Sequence, residues 1–519
     1  MAQIKIVIPP QAAGENLLKW LVGRGYALPA DCGGRGSCGK CRVTVAKGRF
    51  CLQSSPEEEL VPDQRGQILS CRALCTAEEA VIYLEDSEGD GLTDFSDRAA
   101  FKTGGTEGFA VALDIGTTTM AAALVDRAGG RILSAQSCLN PQRSFGADVI
   151  SRIAACGQGR LQELCACVRE GTRKILDDFA GSFPYARPEV LVVSGNTTML
   201  HLFAGVSPEG MGVYPFTPAF TDARAVKGDE FGLSIARVQL LPSSSAFIGS
   251  DVVGGILVSG MLELDAPSVI MDIGTNGEMA LFTGKKNGAQ LFAASTAAGP
   301  ALEGAQISCG IGGIPGAVHR VLREGSNLEY ATIGDQPPRG ICGCGLLDLV
   351  AALLKGGEID ESGYLEEGEY VLEGTHVGTE NRVPLGTPQS HLRLALTQQD
   401  VRELQLAKSA MRAGLEALVA HAGLELSGIE KVFIAGGLGV HLDPVSAVRV
   451  GLLPPEVEGR IVPIGNSSLA GAVRCALSHS ALSRMEEIAN VCKVVELNTS
   501  SVFNEAFVEH MCFPEESDE

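Results

Sequence analysis

Cys32, Cys38, Cys41 and Cys71 stand near the start of the chain at the spacing of four thiolates that wrap a binuclear iron–sulfur cluster. The loop Cys32-Gly-Gly-Arg-Gly-Ser-Cys38-Gly-Lys-Cys41 is rich in glycine, so its backbone can curl until its N–H dipoles approach sulfur and stabilise an added electron. Four thiolates also suit tetrahedral zinc, but zinc ribbons carry two Cys-x2-Cys knuckles and here there is one, which favours iron. Cys71 is the expected fourth ligand because a β-strand excursion from Cys41 can return to it; Cys75 is the competing choice.

A second chemistry is written twice. Ala110–Leu113 runs into Asp114-Ile-Gly116-Thr117-Thr118-Thr119, and Val269–Met271 runs into Asp272-Ile-Gly274-Thr275-Asn276-Gly277-Glu278. In such strand–turn–strand segments, glycine and backbone N–H groups cup phosphate oxygens and threonine hydroxyls donate to them. The carboxylates hold hydrated magnesium or orient a water. One copy is no more than a hairpin corner; two copies suggest a duplicated domain with facing hairpins. The apolar strand Val432–Ala435 ends in Gly436-Gly437, against which an adenine and ribose can lie. Glu303, after Gly299-Pro300, is a candidate catalytic base facing the phosphates, its alternative being a first-turn acid serving a helix dipole.

Other segments carry weaker signals. His201 is expected on a helix after Ser194-Gly195-Asn196 as a structural histidine. Gly343-Cys344-Gly345 opens a helix and either contacts a nucleoside or allows close packing, and Cys342 and Cys344 are not expected to face each other. In Gly465-Asn466-Ser467-Ser468 the hydroxyls are the expected caps of a helix. Thr397-Gln-Gln-Asp400 reads as the cap of an apolar-striped helix ended by Gly423.

The elements that must position these groups divide the chain. Alternating Ile4–Ile8, a short helix over 15–22 and strands at 42–46 and 81–84 give a β-grasp pattern for residues 1–86. Residues 87–108 are polar, acidic and glycine-bearing and read as a flexible linker; residues 109–519 hold the phosphate-type turns. With 519 residues, 45% of them hydrophobic, two or three cored units are expected. The net charge of −21 argues against nucleic acid and against an anionic membrane surface as partners. No segment reads as a spanning helix or a secretion signal, so a cytoplasmic location is expected, and the remaining cysteines are expected to be buried thiols.

Residues 1–86 resemble a 2Fe-2S ferredoxin of the plant or adrenodoxin type, with five residues between the first two cysteines where the plant pattern has four. The paired turns and the glycine pair resemble the actin, sugar-kinase and heat-shock ATPase superfamily. The order of motifs over nearly the whole chain resembles the reductive activators of corrinoid proteins. Those motifs include Asn140-Pro141-Gln142 with Gly146–Arg152, Gly195–Met199, Ile307–Gly310, Leu396-Thr397-Gln398 and Ile464–Ser468.

The resemblance implies a multidomain α+β and α/β chain, a β-grasp ferredoxin domain followed by a duplicated ribonuclease H-like ATPase domain. It also implies a 2Fe-2S cluster, ATP and Mg2+ as cofactors, and one-electron return of an inactive Co(II) corrinoid to Co(I). The implied partners are the corrinoid protein of a methyltransferase system and a low-potential electron donor, with a homodimer left open. Asp114 and Asp272 would manage magnesium and water. Gly116, Thr117, Thr118, Thr119, Gly274, Thr275 and Asn276 would hold phosphate, and Gly436 and Gly437 adenosine. Cobalt in this couple lies below the reach of a ferredoxin, and a gap of about 120 mV costs roughly 2.7 kcal/mol. Nucleotide-driven closure of a two-lobed domain can supply that much. Two alternatives stay open: an activator of a radical dehydratase or reductase, and a redox binding protein that ATP merely switches.

Overall fold

The computed structural model describes residues 3–22, 24, 26, 28, 41–63, 65–85, 107–325, 327–372, 375–376 and 393–515. Cys32, Cys38 and the loop between them lie outside the described residues, as do residues 87–106 of the expected linker. Contacts divide the described residues into two compact units, one ending at Leu240 and one beginning at Leu241.

The first unit opens with β1 (Gln3–Ile8), α1 (Leu17–Val22), β2 (Arg42–Lys47), β3 (Phe50–Leu52), β4 (Ser55–Glu59), β5 (Gln67–Leu69), β6 (Ala73–Cys75) and β7 (Ala80–Glu85). One sheet runs β1-β7-β2-β5 and a smaller one β4-β3-β6. In β1 the alternation places Ile6 and Ile8 inward, where they meet Leu17, Leu21 and Ile82 in the core under α1. The edge strand β4 carries Glu57, Glu58 and Glu59 exposed, a charged edge that discourages pairing with another chain.

The same unit continues with β8 (Phe109–Ile115), β9 (Thr119–Asp126), β10 (Arg131–Leu139), α2 (Val149–Ala155), α3 (Leu161–Ser182), β11 (Pro188–Gly195), α4 (Thr197–Ala204), β12 (Arg224–Lys227) and β13 (Arg237–Leu240). Their sheet has the order β10-β9-β8-β11-β13-β12. β8 lies between β9, antiparallel, and β11, parallel, and Ala110–Leu113 are wholly buried, which explains an apolar run without alternation. α2 passes into α3 through a wide turn at Cys156–Arg160, where Gly159 takes φ +80°. Cys167 of α3 is packed into the core of the β-grasp module, so module and sheet domain share apolar contacts.

The second unit contains α5 (Ser250–Ser259), β14 (Ser268–Ile273), β15 (Gly277–Phe282), β16 (Leu291–Thr296), β17 (Ala317–Glu324), β18 (Asn327–Thr332), β19 (Gly340–Ile341), α6 (Gly343–Gly356), β20 (Glu369–Val371), β21 (Thr375–His376), β22 (Ala395–Thr397) and α7 (Gln398–His421). It closes with β23 (Lys431–Ala435), α8 (Leu438–His441), α9 (Pro444–Arg449), β24 (Ile461–Gly465), α10 (Ser467–Leu477), α11 (His479–Val491), β25 (Lys493–Val494) and α12 (Ser501–Glu509). Its main sheet runs β24-β23-β14-β15-β16-β25. In both units an antiparallel hairpin is joined by a parallel strand, β8–β9 with β11 and β14–β15 with β23. No helix among the described residues is long and apolar enough to cross a membrane.

Several expectations are corrected by packing. Gly343 and Gly345 serve close approach: a Cβ would stand 1.9 Å from the Leu302 carbonyl oxygen and 2.1 Å from that of Val318. The Cys342 and Cys344 thiols donate to separate carbonyls, Cys342 to Val318 at 3.4 Å and Cys344 to Leu438 at 3.2 Å. The cap of α10 is Asn466, whose side chain accepts from the Leu469 N–H at 2.8 Å, while the buried Ser467 hydroxyl has no partner. Two motif segments prove to be one structural joint. Asp400, in a capping box with Thr397, also accepts from the Ser308 N–H at 2.8 Å and hydroxyl at 3.1 Å.

Candidate functional site

The thiolate edge is set by strand register. β2 and β5 are antiparallel with Arg42 opposite Leu69, which puts Cys41 beside Ser70 and Cys71. Ser70 donates its N–H and its hydroxyl to the Cys41 carbonyl, at 2.9 and 3.0 Å. Asn16, just before α1, donates to the Cys71 carbonyl at 2.9 Å, so the turn carrying Cys71 is held from both sides. Cys75 belongs to another element: it pairs with Phe50 in β6, its backbone bonds Gly14 and Glu15, and burial pushes its thiol up to about 11. The register sets Cys41 and Cys71 on neighbouring strand ends, and paired cysteines there are donors of the type a 2Fe-2S cluster takes.

The first phosphate-type turn joins β8 to β9. Asp114 sits at the strand end opposite Ala121, and Gly116 allows a corner so tight that a Cβ would lie 2.8 Å from the Thr119 carbonyl oxygen. Three side chains brace the corner from behind. Arg152, fully buried on α2, donates to the Thr117 carbonyl at 2.5 Å and to that of Gly146 at 3.1 Å. Asn140 donates to the Gly116 carbonyl at 2.7 Å, and Asn196, the cap of α4, donates to the Thr117 hydroxyl at 3.2 Å. The carbonyls of Gly116 and Thr117 are thus both bound by buried side chains of other segments, which fixes the shape of the corner. His201 plays no part in this. Its Nε2 accepts from the Ala219 N–H at 3.1 Å, its Nδ1 meets the Thr197 carbonyl at 2.7 Å, and burial lowers its pKa.

The second turn joins β14 to β15, where Asp272 faces Glu278 across the hairpin and Ala435 on β23. Gly436 has φ +83°, and a Cβ there would stand 2.7 Å from Asp272 Oδ1, so the glycine pair and the turn touch. Glu303 accepts from the Thr275 N–H at 3.0 Å and from its hydroxyl at 2.8 Å. Asp272, Thr275, Glu303 and Gly436 are thus gathered in one place within the second unit. Sequence reasoning passed over Glu278, whose carboxyl is pushed up by burial and by the nearby Asp251 and Asp272. It also left Asn140, Arg152 and Asn196 as motif letters without a role. Their signal was a polar residue immediately before a turn or inside an apolar helix.

Comparison with known proteins follows the same division. Residues 7–76 match the 2Fe-2S iron-sulfur cluster binding domain, residues 109–264 the RACo middle region, and residues 266–519 the C-terminal domain of RACo, the ASKHA domain. The chain is 33% identical over 423 residues to the corrinoid activation enzyme RamQ of Eubacterium limosum, covering 78% of this chain and 70% of that one. It is 28% identical over 441 residues to the [Co(II) methylated amine-specific corrinoid protein] reductase of Methanosarcina barkeri, covering 77% and 76%. Among solved structures it is similar to a reductive activator for corrinoid, iron-sulfur protein, with a TM-score of 0.70 and 27% identity over 98% of this chain and 96% of the other.

Proposed function

The chain belongs to the family of reductive activators of corrinoid proteins, and on that premise we propose that it performs ATP-dependent one-electron reduction of an inactive Co(II) corrinoid protein to Co(I). The observation that carries this reading is the union, in one chain, of the Cys41–Cys71 thiolate edge with two braced phosphate-type hairpins. The 2Fe-2S cluster supplies low-potential one-electron transfer when bound. Ser70 and Asn16 tie the backbones of Cys41 and Cys71 to the module, which would limit their rearrangement when charge changes.

At the hairpins, the N–H groups and hydroxyls of Gly116–Thr119 and of Gly274–Asn276 hold the phosphates, and Gly436 and Gly437 receive adenosine. Asp114 and Asp272, each at the strand end of its own hairpin, would hold Mg2+ and position water, the ion supplying charge neutralisation at phosphate. Glu303 acts through Thr275, because both its oxygens accept from that residue. The partner is the corrinoid protein of a methyltransferase system, the electron comes from a low-potential donor, and the setting is cytoplasmic.

The test is anaerobic reduction of a Co(II) corrinoid protein by the reduced holoprotein, followed by the visible absorption of Co(I), with and without ATP. Co(I) formed only with ATP, together with faster ATP turnover in the corrinoid protein's presence, supports the reading. Turnover that ignores the corrinoid protein, with cobalt left as Co(II), refutes it and leaves an ATP-switched binding protein or a dehydratase activator.

A further inference from the structure

Between the β-grasp module and α3 lies a cavity of about 240 Å³. Asn16, Leu18 and Cys71 line it from the module, and Ser144, Phe145 and Cys167 from the sheet domain. The Phe145 ring packs against the cores of both and lies 4.3 Å beneath the Arg160 guanidinium. Phe145 ends a short helical turn, Pro141–Ser144, whose other end is Asn140.

Asn140 is wholly buried and is bound to the first phosphate-type corner twice over. Its side chain donates to Gly116 O at 2.7 Å and its own N–H to Thr118 O at 2.9 Å. The same side chain accepts from the Gln142 N–H at 2.9 Å, and Gln142 in turn donates to Leu164 O on α3 at 3.1 Å. A displacement of the corner therefore has to carry the turn with it, since separating buried polar pairs costs more than shifting a rigid turn. The Asn140 end is wholly buried and hydrogen-bonded on several sides, whereas the Phe145 end borders a cavity and can take up a second position.

We propose that the Asn140–Phe145 turn is the link by which the first phosphate hairpin sets how the cluster module is seated on α3, with Asn140 as its positioning residue. This deepens the functional reading above and rests on it, because it takes Gly116–Thr119 as the turn that binds phosphate. Phosphate drawn against the N–H side of the corner pulls on the Gly116 and Thr118 carbonyls, and Asn140 passes that motion to Phe145 beside Cys71. Nucleotide occupancy would then alter the face that the thiolate edge shows to a donor or to the corrinoid protein.

The chain's one tryptophan, Trp20, is a built-in reporter. It lies on α1, 3% exposed, and lines a cleft with Arg173 and Lys174 of α3. The holoprotein is titrated with the β,γ-imido analogue of ATP and Mg2+. Binding is followed by calorimetry, and seating by Trp20 emission and the electron paramagnetic resonance line shape of the reduced protein. The expected result is a saturable spectral change in the wild type. In Phe145→Ala the analogue should bind within about twofold of wild type while the spectral change falls at least about fivefold; Phe145→Leu, which refills the space, should recover most of it. A wild type that binds the analogue with no spectral change, or a Phe145→Ala variant with the full change, overturns the inference. A wild type that binds no nucleotide overturns it together with the functional reading.

Discussion

Glu303 receives two hydrogen bonds from Thr275, one from the N–H at 3.0 Å and one from the hydroxyl at 2.8 Å, so both carboxylate oxygens help to hold the second phosphate-type turn. A general base needs an oxygen available to the attacking water, and a positioning residue does not. Glu303→Ala should raise KM for ATP about tenfold and lower kcat by less than that, with Glu303→Gln recovering most of the loss because its amide can bond both Thr275 groups. A fall of about 100-fold or more in kcat for Glu303→Gln, at unchanged KM, would instead assign it the base role.

Cys71 and Cys75 are close in sequence and belong to different elements. Cys71→Ser should abolish the visible absorption of the cluster and lower the bound iron. Cys75→Ser should keep both, at a stability cost of about 1–2 kcal/mol for burying a hydroxyl among apolar neighbours. Iron and sulfide analysis of the purified variants decides between them, and retention of iron in Cys71→Ser would return the fourth ligand to Cys75.

Arg152 is a fully buried cation whose removal leaves the Thr117 and Gly146 carbonyls without a donor. Arg152→Met preserves much of the volume but should destabilise the first unit by about 3 kcal/mol and weaken ATP binding. Urea unfolding followed by far-ultraviolet circular dichroism measures the first effect, and calorimetry the second. An unchanged unfolding midpoint would mean that the corner does not depend on its brace.

Gly436 combines a left-handed backbone with contact against Asp272 Oδ1. Gly436→Ala should cost about 1–3 kcal/mol in strain and displace Asp272, with ATP affinity falling more than stability does. Nucleotide titration of a variant whose melting temperature is near that of the wild type is the informative measurement, and wild-type affinity there would remove Gly436 from the nucleotide site.

His319 should leave a pH signature. Burial, with the neighbouring His441 and Arg320, lowers its pKa to about 4 from an ordinary 6.5. The unfolded chain binds this proton first, so the stabilisation is complete above about pH 6.5 and is lost as the pH falls toward 4. Asp348, raised to about 6 by burial, works in the opposite sense: its contribution is complete below its ordinary value of 3.8 and is lost as the pH rises through 6. His319→Gln should therefore flatten the decline of melting temperature between pH 6.5 and 4, and an unaltered decline would show that His319 does not drive it.

Much of the fold was legible because apolar patterns report local geometry. The apolar run Ala110–Leu113 reads as a strand, and the repeated acidic turn points to the duplication; both recur in the fold. The bracing of those turns was not legible. Nothing in the letters Asn140, Arg152 or Asn196 says that three separate segments converge on Gly116 and Thr117.

By itself, then, the sequence determined which chemistries this chain carries, because thiolate spacing, turn glycines and strand-end carboxylates are local properties of neighbouring residues. Tertiary structure alone decided which groups meet. It bound Glu303 to Thr275, placed Cys75 and Cys71 on different elements, and brought Cys167 and Phe145 to the edge of the cluster module. Those outcomes depend on hydrogen bonds and packing between residues far apart along the chain, and the energy of such a contact is defined only once the intervening backbone has closed.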